Sequence, residues 1–134
     1  MRVLFATDGS RSAEAALERL PVLLGPGLGQ LSVVLIAVSS GRDDGAARAI
    51  ADLARSKEIL GRQGIVPKSI WRVGQDPVTV ILDVAASESA DLVVVGSRAK
   101  SRTGAPLGEV PRHLLERSSV PVLLVRQQAA QPSD

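Results

Sequence analysis

The sequence predicts an α/β protein: a three-layer, doubly wound sheet of five parallel strands with helices on both faces. Three observations carry this. Short Val, Leu and Ile runs alternate with longer stretches of helical apolar spacing along the chain. Several of the short runs are apolar at consecutive positions, as strands covered on both faces must be. A length of 134 residues suits one core, expected over residues 1–126 and followed by a polar tail at 127–134.

The elements follow in order. Val3 to Thr7 reads as the first strand, and Asp8-Gly9-Ser10 turns the chain. Ser10 can cap a helix whose first turn carries Glu14 and whose inner face is Ala13, Leu17, Leu20 and Leu24; Gly25-Pro26-Gly27 stops it. Leu31 to Val38 is the second strand. A second helix is expected from Asp43 to Gln63, with Ala46, Ile50, Leu53 and Leu60 inward. Lys68 to Val73 is a weaker third strand. Asp76 can cap the third helix with Pro77 at its first position, and Val78, Ile81, Leu82 and Ala85 form its stripe. Asp91 to Val95 leads a fourth strand into Gly96. A fourth helix is expected from Gly108 to Arg117, with Val110, Leu114 and Leu115 apolar, and a fifth strand from Val120 to Val125.

Composition excludes several functions. The chain has no cysteine, so disulfides, thiol catalysis and cysteine metal sites are out. His113 is the sole histidine, without a partner for a zinc site, and reads as a surface or interface residue. Phe5 and Trp71 are the only aromatics, too few to stack the bases of a single strand, and Trp71 is expected to pack in the core or an interface. The formal net charge of +2 comes from scattered charges, not a nucleic-acid footprint. Asp43-Asp44 reads as the acidic start of a helix, since two adjacent carboxylates alone make a poor metal site. No leader precedes the first strand and no apolar run approaches about 18 residues. A cytoplasmic protein, without membrane or nucleic-acid partners, is therefore expected.

Most doubly wound families fail on chemistry. GxxxxGK[ST], GxGxxG and GxSxG are absent. A phosphoacceptor carboxylate should end the third strand, where Val73-Gly74 stand instead, and a flavin site would want aromatics. In sheets of this kind ligands sit beyond the carboxyl ends of the strands at the switch point. There Ala6-Thr7-Asp8 and the segment from Gly96 onward could meet.

Three stretches, in this order, resemble the universal stress protein family. VLFATDGSRSAEAAL is similar to its opening strand, DGS turn and first helix. VGQDPVTVILDVAASESADLVVVGSR is similar to its G-x-P…I…A…ADLIVMGSRG block, and LLERSSVPVLLVR to its closing V…PCPVLVVR strand. The resemblance implies strand order 3-2-1-4-5, a dimer and a role in stress survival. It also implies that Ala6, Thr7, Asp8 and Val38 face the base and ribose of an adenine nucleotide. Asp8 has an equally good structural role, capping the turn into the first helix.

ATP-binding members carry G-x2-G-x9-G-[ST] after the fourth strand. Its glycines let backbone approach phosphate, and a helix N-terminus holds the anion. Here Gly96, Ser97 and Arg98 fit, and Gly108 and Val110 stand in the last part of the motif. Ala99 replaces the second glycine, which resists a positive φ by roughly 1 kcal/mol or more. The loop is one residue short, with Lys100 to Leu107 between Ala99 and Gly108. Glu109 replaces the hydroxyl residue, and at roughly 4 Å and an effective dielectric near 20 it repels a phosphate by about 4 kcal/mol per unit charge, less once screened. Pro111 removes a donor. Arg98, Lys100 and Arg102 are a counterweight, either a solvated basic loop or an anion clamp.

The sequence therefore reads as a non-enzymatic homodimeric binding or signalling module with a degenerate nucleotide loop. A second reading keeps ATP and makes the protein a nucleotide-gated switch with at most slow hydrolysis. An enzyme of the wider adenine-nucleotide superfamily is the third, and no nucleophile, base or metal cluster emerges for it. No cofactor is required; ATP or AMP is the candidate. The apolar fifth strand lies at a sheet edge in the family order, so the homodimer is expected through Pro121 to Arg126.

Overall fold

A computed structural model describes residues 1–25, 31–41, 45–97 and 108–126. Strands and helices alternate through it: β1 (Arg2–Ala6), α1 (Arg11–Leu24), β2 (Ser32–Ser39), α2 (Gly45–Gly61), β3 (Lys68–Val73), α3 (Pro77–Ser87), β4 (Leu92–Gly96), α4 (Glu109–Arg117) and β5 (Val122–Val125). The five strands form one parallel sheet in the order β3-β2-β1-β4-β5. Strand order reverses between β1 and β4, so the carboxyl ends of β1, β2 and β4 open on a common crevice.

The continuous apolar runs do what two covered faces require. Val3 and Phe5 of β1 pack with Leu17, Leu20, Leu53 and Leu60 on the α1–α2 side. Leu4 and Ala6 pack with Val78, Ile81 and Leu114 on the α3–α4 side. Burying each Leu or Phe side chain contributes about 1.5–3 kcal/mol.

Local chemistry sets the helix ends. Ser10 Oγ accepts the Ala13 N–H at 3.1 Å and caps α1. Asp76 caps α3, accepting the Val78 N–H at 3.1 Å, with Pro77 beginning the helix. Pro21 lies inside α1 and has no N–H to give Leu17. The Gln63 side-chain amide takes that carbonyl instead, at 3.4 Å.

Several expectations need correction. β1 begins at Arg2 and ends at Ala6, although the Thr7 N–H still bonds the Ile36 carbonyl at 3.0 Å. β2 runs from Ser32 to Ser39, one residue later than expected. The inner face of α2 is Ala49, Leu53, Ser56, Ile59 and Leu60, while Ile50 is 54% exposed. Small residues at 49 and 56 let the helix sit close to the sheet, so the largest apolar side chain does not mark the face. The expected start of that helix, Asp43-Asp44, lies outside the described residues. Leu115 points outward on α4, where Pro111 is buried instead. β5 begins only at Val122, because Val120 is turned by Ser118, whose Oγ accepts its N–H at 3.0 Å. Trp71, expected in the core or an interface, is 37% exposed on edge strand β3, which excludes only the core, and its indole N–H donates to Ser39 Oγ at 3.0 Å.

Candidate functional site

The carboxyl ends of the strands form a narrow apolar cleft of about 30 Å³ on the α3–α4 side. Its walls are Ala6, Thr7 and Asp8 after β1, Ile36 and Val38 of β2, Val95 of β4, Pro77 and Ile81 of α3, and Val110 of α4. The mixture of aliphatic walls and a few polar groups is that of a small-molecule site. Five residues singled out from sequence meet here: Ala6, Thr7, Asp8, Val38 and Val110.

Ile36, Pro77, Ile81 and Val95 were not singled out. A signal existed for Pro77, since a helix that follows a parallel strand begins at the carboxyl end of the sheet. Nothing in the sequence separates Ile36, Ile81 or Val95 from ordinary core.

Asp8 fulfils its structural role: its Oδ1 accepts the Ser10 N–H at 3.0 Å, fixing the turn into α1. It still lines the cleft. The Thr7 hydroxyl, also buried, accepts the Ser56 hydroxyl at 3.1 Å and ties β1 to α2.

The remaining candidates lie beside the cleft. Ser97 donates its N–H to Val125 and accepts the Gly108 N–H at 2.8 Å, which sets the start of α4 next to the end of β4. Gly108 caps α4 through backbone alone. Glu109 is exposed, and no side-chain hydrogen bond caps the helix among the described residues. Among the described residues, the Glu109 carboxylate makes no hydrogen bond to the helix terminus. Helix geometry gives the Glu109 and Val110 N–H groups no partner within α4, and Pro111 has no N–H. Arg98, Ala99, Lys100 and Arg102 lie outside the described residues.

Gly96 has a packing role that the motif reading did not assign. A Cβ at this position would lie 2.6 Å from Ser12 Oγ, 2.9 Å from the Ser12 carbonyl carbon and 3.0 Å from the Ala13 nitrogen. The end of β4 thus touches the first turn of α1, and only glycine fits.

A second, polar cleft adjoins the first on the α2 side. Thr7, Asp8 and Val38 belong to both. Its other walls include Ser39, Ser40, Gly45, Arg48 and Asp52. Burial, and then the neighbouring Asp8 carboxylate, push the Asp52 carboxyl above its usual range, against the opposing pull of Arg48. His113 sits half-buried on α4 with Nε2 3.4 Å from the Arg112 guanidinium, away from both clefts. No group of three or more His, Cys, Asp or Glu among the described residues could hold a metal ion. No described helix is long and apolar enough to cross a membrane.

Fold and crevice define a doubly wound α/β domain of the kind that holds small ligands at its switch point. The chain belongs to the universal stress protein family, whose sequence model matches residues 1–126. The hypothetical protein MJ0577, solved as a test case for assigning biochemical function from structure, is similar with a TM-score of 0.81 at 25% identity, over 96% of this chain and 97% of that one. A universal stress protein in complex with cAMP is similar with a TM-score of 0.72 at 26% identity, over 94% and 96%. A universal stress protein from Archaeoglobus fulgidus in complex with dAMP shares the fold, with a TM-score of 0.76 at 22% identity, over 93% and 97%. No curated protein sequence matches.

Proposed function

We propose that this chain is a non-enzymatic, homodimeric binding module of the stress response, whose apolar cleft takes adenosine or AMP and disfavours ATP. The carrying observation is the convergence of Ala6, Thr7, Asp8, Val38 and Val110 on one cleft at the switch point. Family membership and the cAMP and dAMP complexes of similar proteins support an adenine ligand. Ala99, the short loop, Glu109 and Pro111 each remove part of what a triphosphate needs.

The homodimer rests on edge chemistry. β3 and β5 are the two edges, and β3 carries Lys68 and Arg72. β5 has no charge, and Val122, Leu123 and Leu124 are only partly buried. Pairing of two such edges across a twofold axis covers them.

One observation favours the ATP-gated switch as the second reading. Glu109 is exposed, and α4 itself provides no partner for the Glu109 and Val110 N–H groups. The two readings separate on ATP affinity in Glu109→Ser with Ala99→Gly. Removing an exposed repulsion and a conformational penalty should together yield about 2 kcal/mol, or about thirtyfold tighter binding. Unchanged affinity in a titration of both proteins would mean that these residues do not limit ATP binding, and the degenerate-loop reading would fall.

A further inference from the structure

At about 30 Å³ the apolar cleft has room for about one or two waters and not for the ring of a base. A ligand of that size therefore needs a wall to move. Ala6, Ile36, Val38 and Val95 belong to β1, β2 and β4, the three inner strands, each paired on both sides. The sheet fixes them. The turn fixes the next two, since the Thr7 N–H bonds the Ile36 carbonyl at 3.0 Å and Asp8 Oδ1 accepts the Ser10 N–H at 3.0 Å. The remaining walls are Pro77 and Ile81 of α3 and Val110 of α4. The cleft widens when these two helices part.

Arg117, in the last turn of α4, ties the helices together. Its guanidinium donates to Asp76 Oδ2 at 3.1 Å and to Thr79 Oγ1 at 2.7 Å. The Thr79 hydroxyl in turn donates to Asp76 Oδ2 at 2.7 Å, which closes a three-membered network. Asp76 immediately precedes the wall residue Pro77, so the bridge grips the end of α3 that lines the cleft. All three side chains are exposed. An exposed bridge of this kind is weak enough to break and re-form as a ligand enters and leaves.

We propose that Arg117 is a catch on the apolar cleft: its bridge to Asp76 and Thr79 holds α3 and α4 together, and a ligand enters from the state in which the bridge has let go. Apparent affinity then carries the cost of opening, and weakening the catch tightens binding. The catch stands on the geometry of the cleft and the bridge; its use by adenosine rests on the function proposed above.

The chain has no cysteine, so a single introduced thiol reports alone. Val94 and Val95 of β4 are 0% and 1% exposed and face opposite sides of the sheet, Val94 toward α1 and α2, Val95 into the cleft. Iodoacetamide labelling of folded Val95→Cys follows opening of the cleft, and labelling of Val94→Cys follows loosening of the opposite layer. Arg117→Met keeps an unbranched stem, removes the guanidinium and leaves the Asp76 cap of α3 in place. It should speed labelling of Val95→Cys by about two- to fivefold, the worth of an exposed ion pair, and leave Val94→Cys unchanged. Equal acceleration at both positions would make Arg117 a general stabiliser of the fold. No acceleration at Val95→Cys would show that the bridge does not hold the walls. Either result overturns the proposal. In the cysteine-free chain, Arg117→Met should bind adenosine about two- to fivefold more tightly while its Tm falls, opposite signs that a merely structural residue does not produce. Equal or weaker adenosine binding would overturn the role of the catch in ligand entry. Adenosine bound by neither protein, with the labelling as expected, would remove the adenine reading and keep the catch.

Discussion

Gly96 invites the most instructive substitution, because two explanations of it differ in what alanine should do. As part of a phosphate motif it would matter only with ligand bound. In the structure it is buried at the end of β4, and an added Cβ meets Ser12 Oγ at 2.6 Å, the Ser12 carbonyl carbon at 2.9 Å and the Ala13 nitrogen at 3.0 Å. Two of these are backbone atoms in the first turn of α1, at residues only 3% and 1% exposed. They cannot yield without moving the helix or the strand. Overpacking of this kind costs about 1–3 kcal/mol, or about 4–12 °C in Tm for a domain of this size. Urea unfolding of Gly96→Ala without ligand should show a lower midpoint and an unchanged slope. Adding Ser12→Ala removes only the nearest atom, so recovery should be partial. A wild-type midpoint in Gly96→Ala would refute the close-approach reasoning and return the glycine to a role with ligand. Complete recovery in the double variant would show that the backbone contacts give way freely.

Two further predictions test the edge and the cap. Leu124→Lys places a charge on partly buried β5, and sizing should show monomer where the wild type is a dimer; an unchanged dimer would rule out β5 pairing. Asp76 accepts hydrogen bonds from Thr79 Oγ1 at 2.7 Å and Arg117 at 3.1 Å, which hold its carboxyl down at about 2. A carboxyl lower in the folded than in the unfolded state stabilises above the unfolded value of 3.8, and that stability is lost as pH falls through about 2. Asp76→Asn should flatten the fall of Tm across that window, and identical slopes would show that the Asp76 bonds do not form in solution.

The fold was legible because each strand announces itself by consecutive apolar residues and each helix by its caps. Ser10, Asp76 and Pro77 act as their residue types suggest. Where the reading slipped, a local rule met a tertiary one. Ile50 is a stronger apolar signal than Ala49 or Ser56, yet close packing of α2 on the sheet selects the small side chains. The apolar cleft was half legible: Ala6, Thr7, Asp8, Val38 and Val110 follow from motif positions, whereas Ile36, Ile81 and Val95 look like any core residue. The polar cleft was not legible. Asp52 meets Gly9 only because α2 folds back over the first turn, a pairing across more than forty positions that no local pattern encodes.

The direct measurement is the thermal unfolding of the full chain with adenosine, AMP and Mg-ATP at equal concentrations. A ligand at 100 times its Kd stabilises the folded state by about 2.7 kcal/mol. Adenosine and AMP should raise Tm, with Mg-ATP giving a smaller shift or none. A shift with micromolar Mg-ATP that equals or exceeds that with AMP would contradict the account, because the loop that ends in Gly108-Glu109 would then be a working triphosphate site.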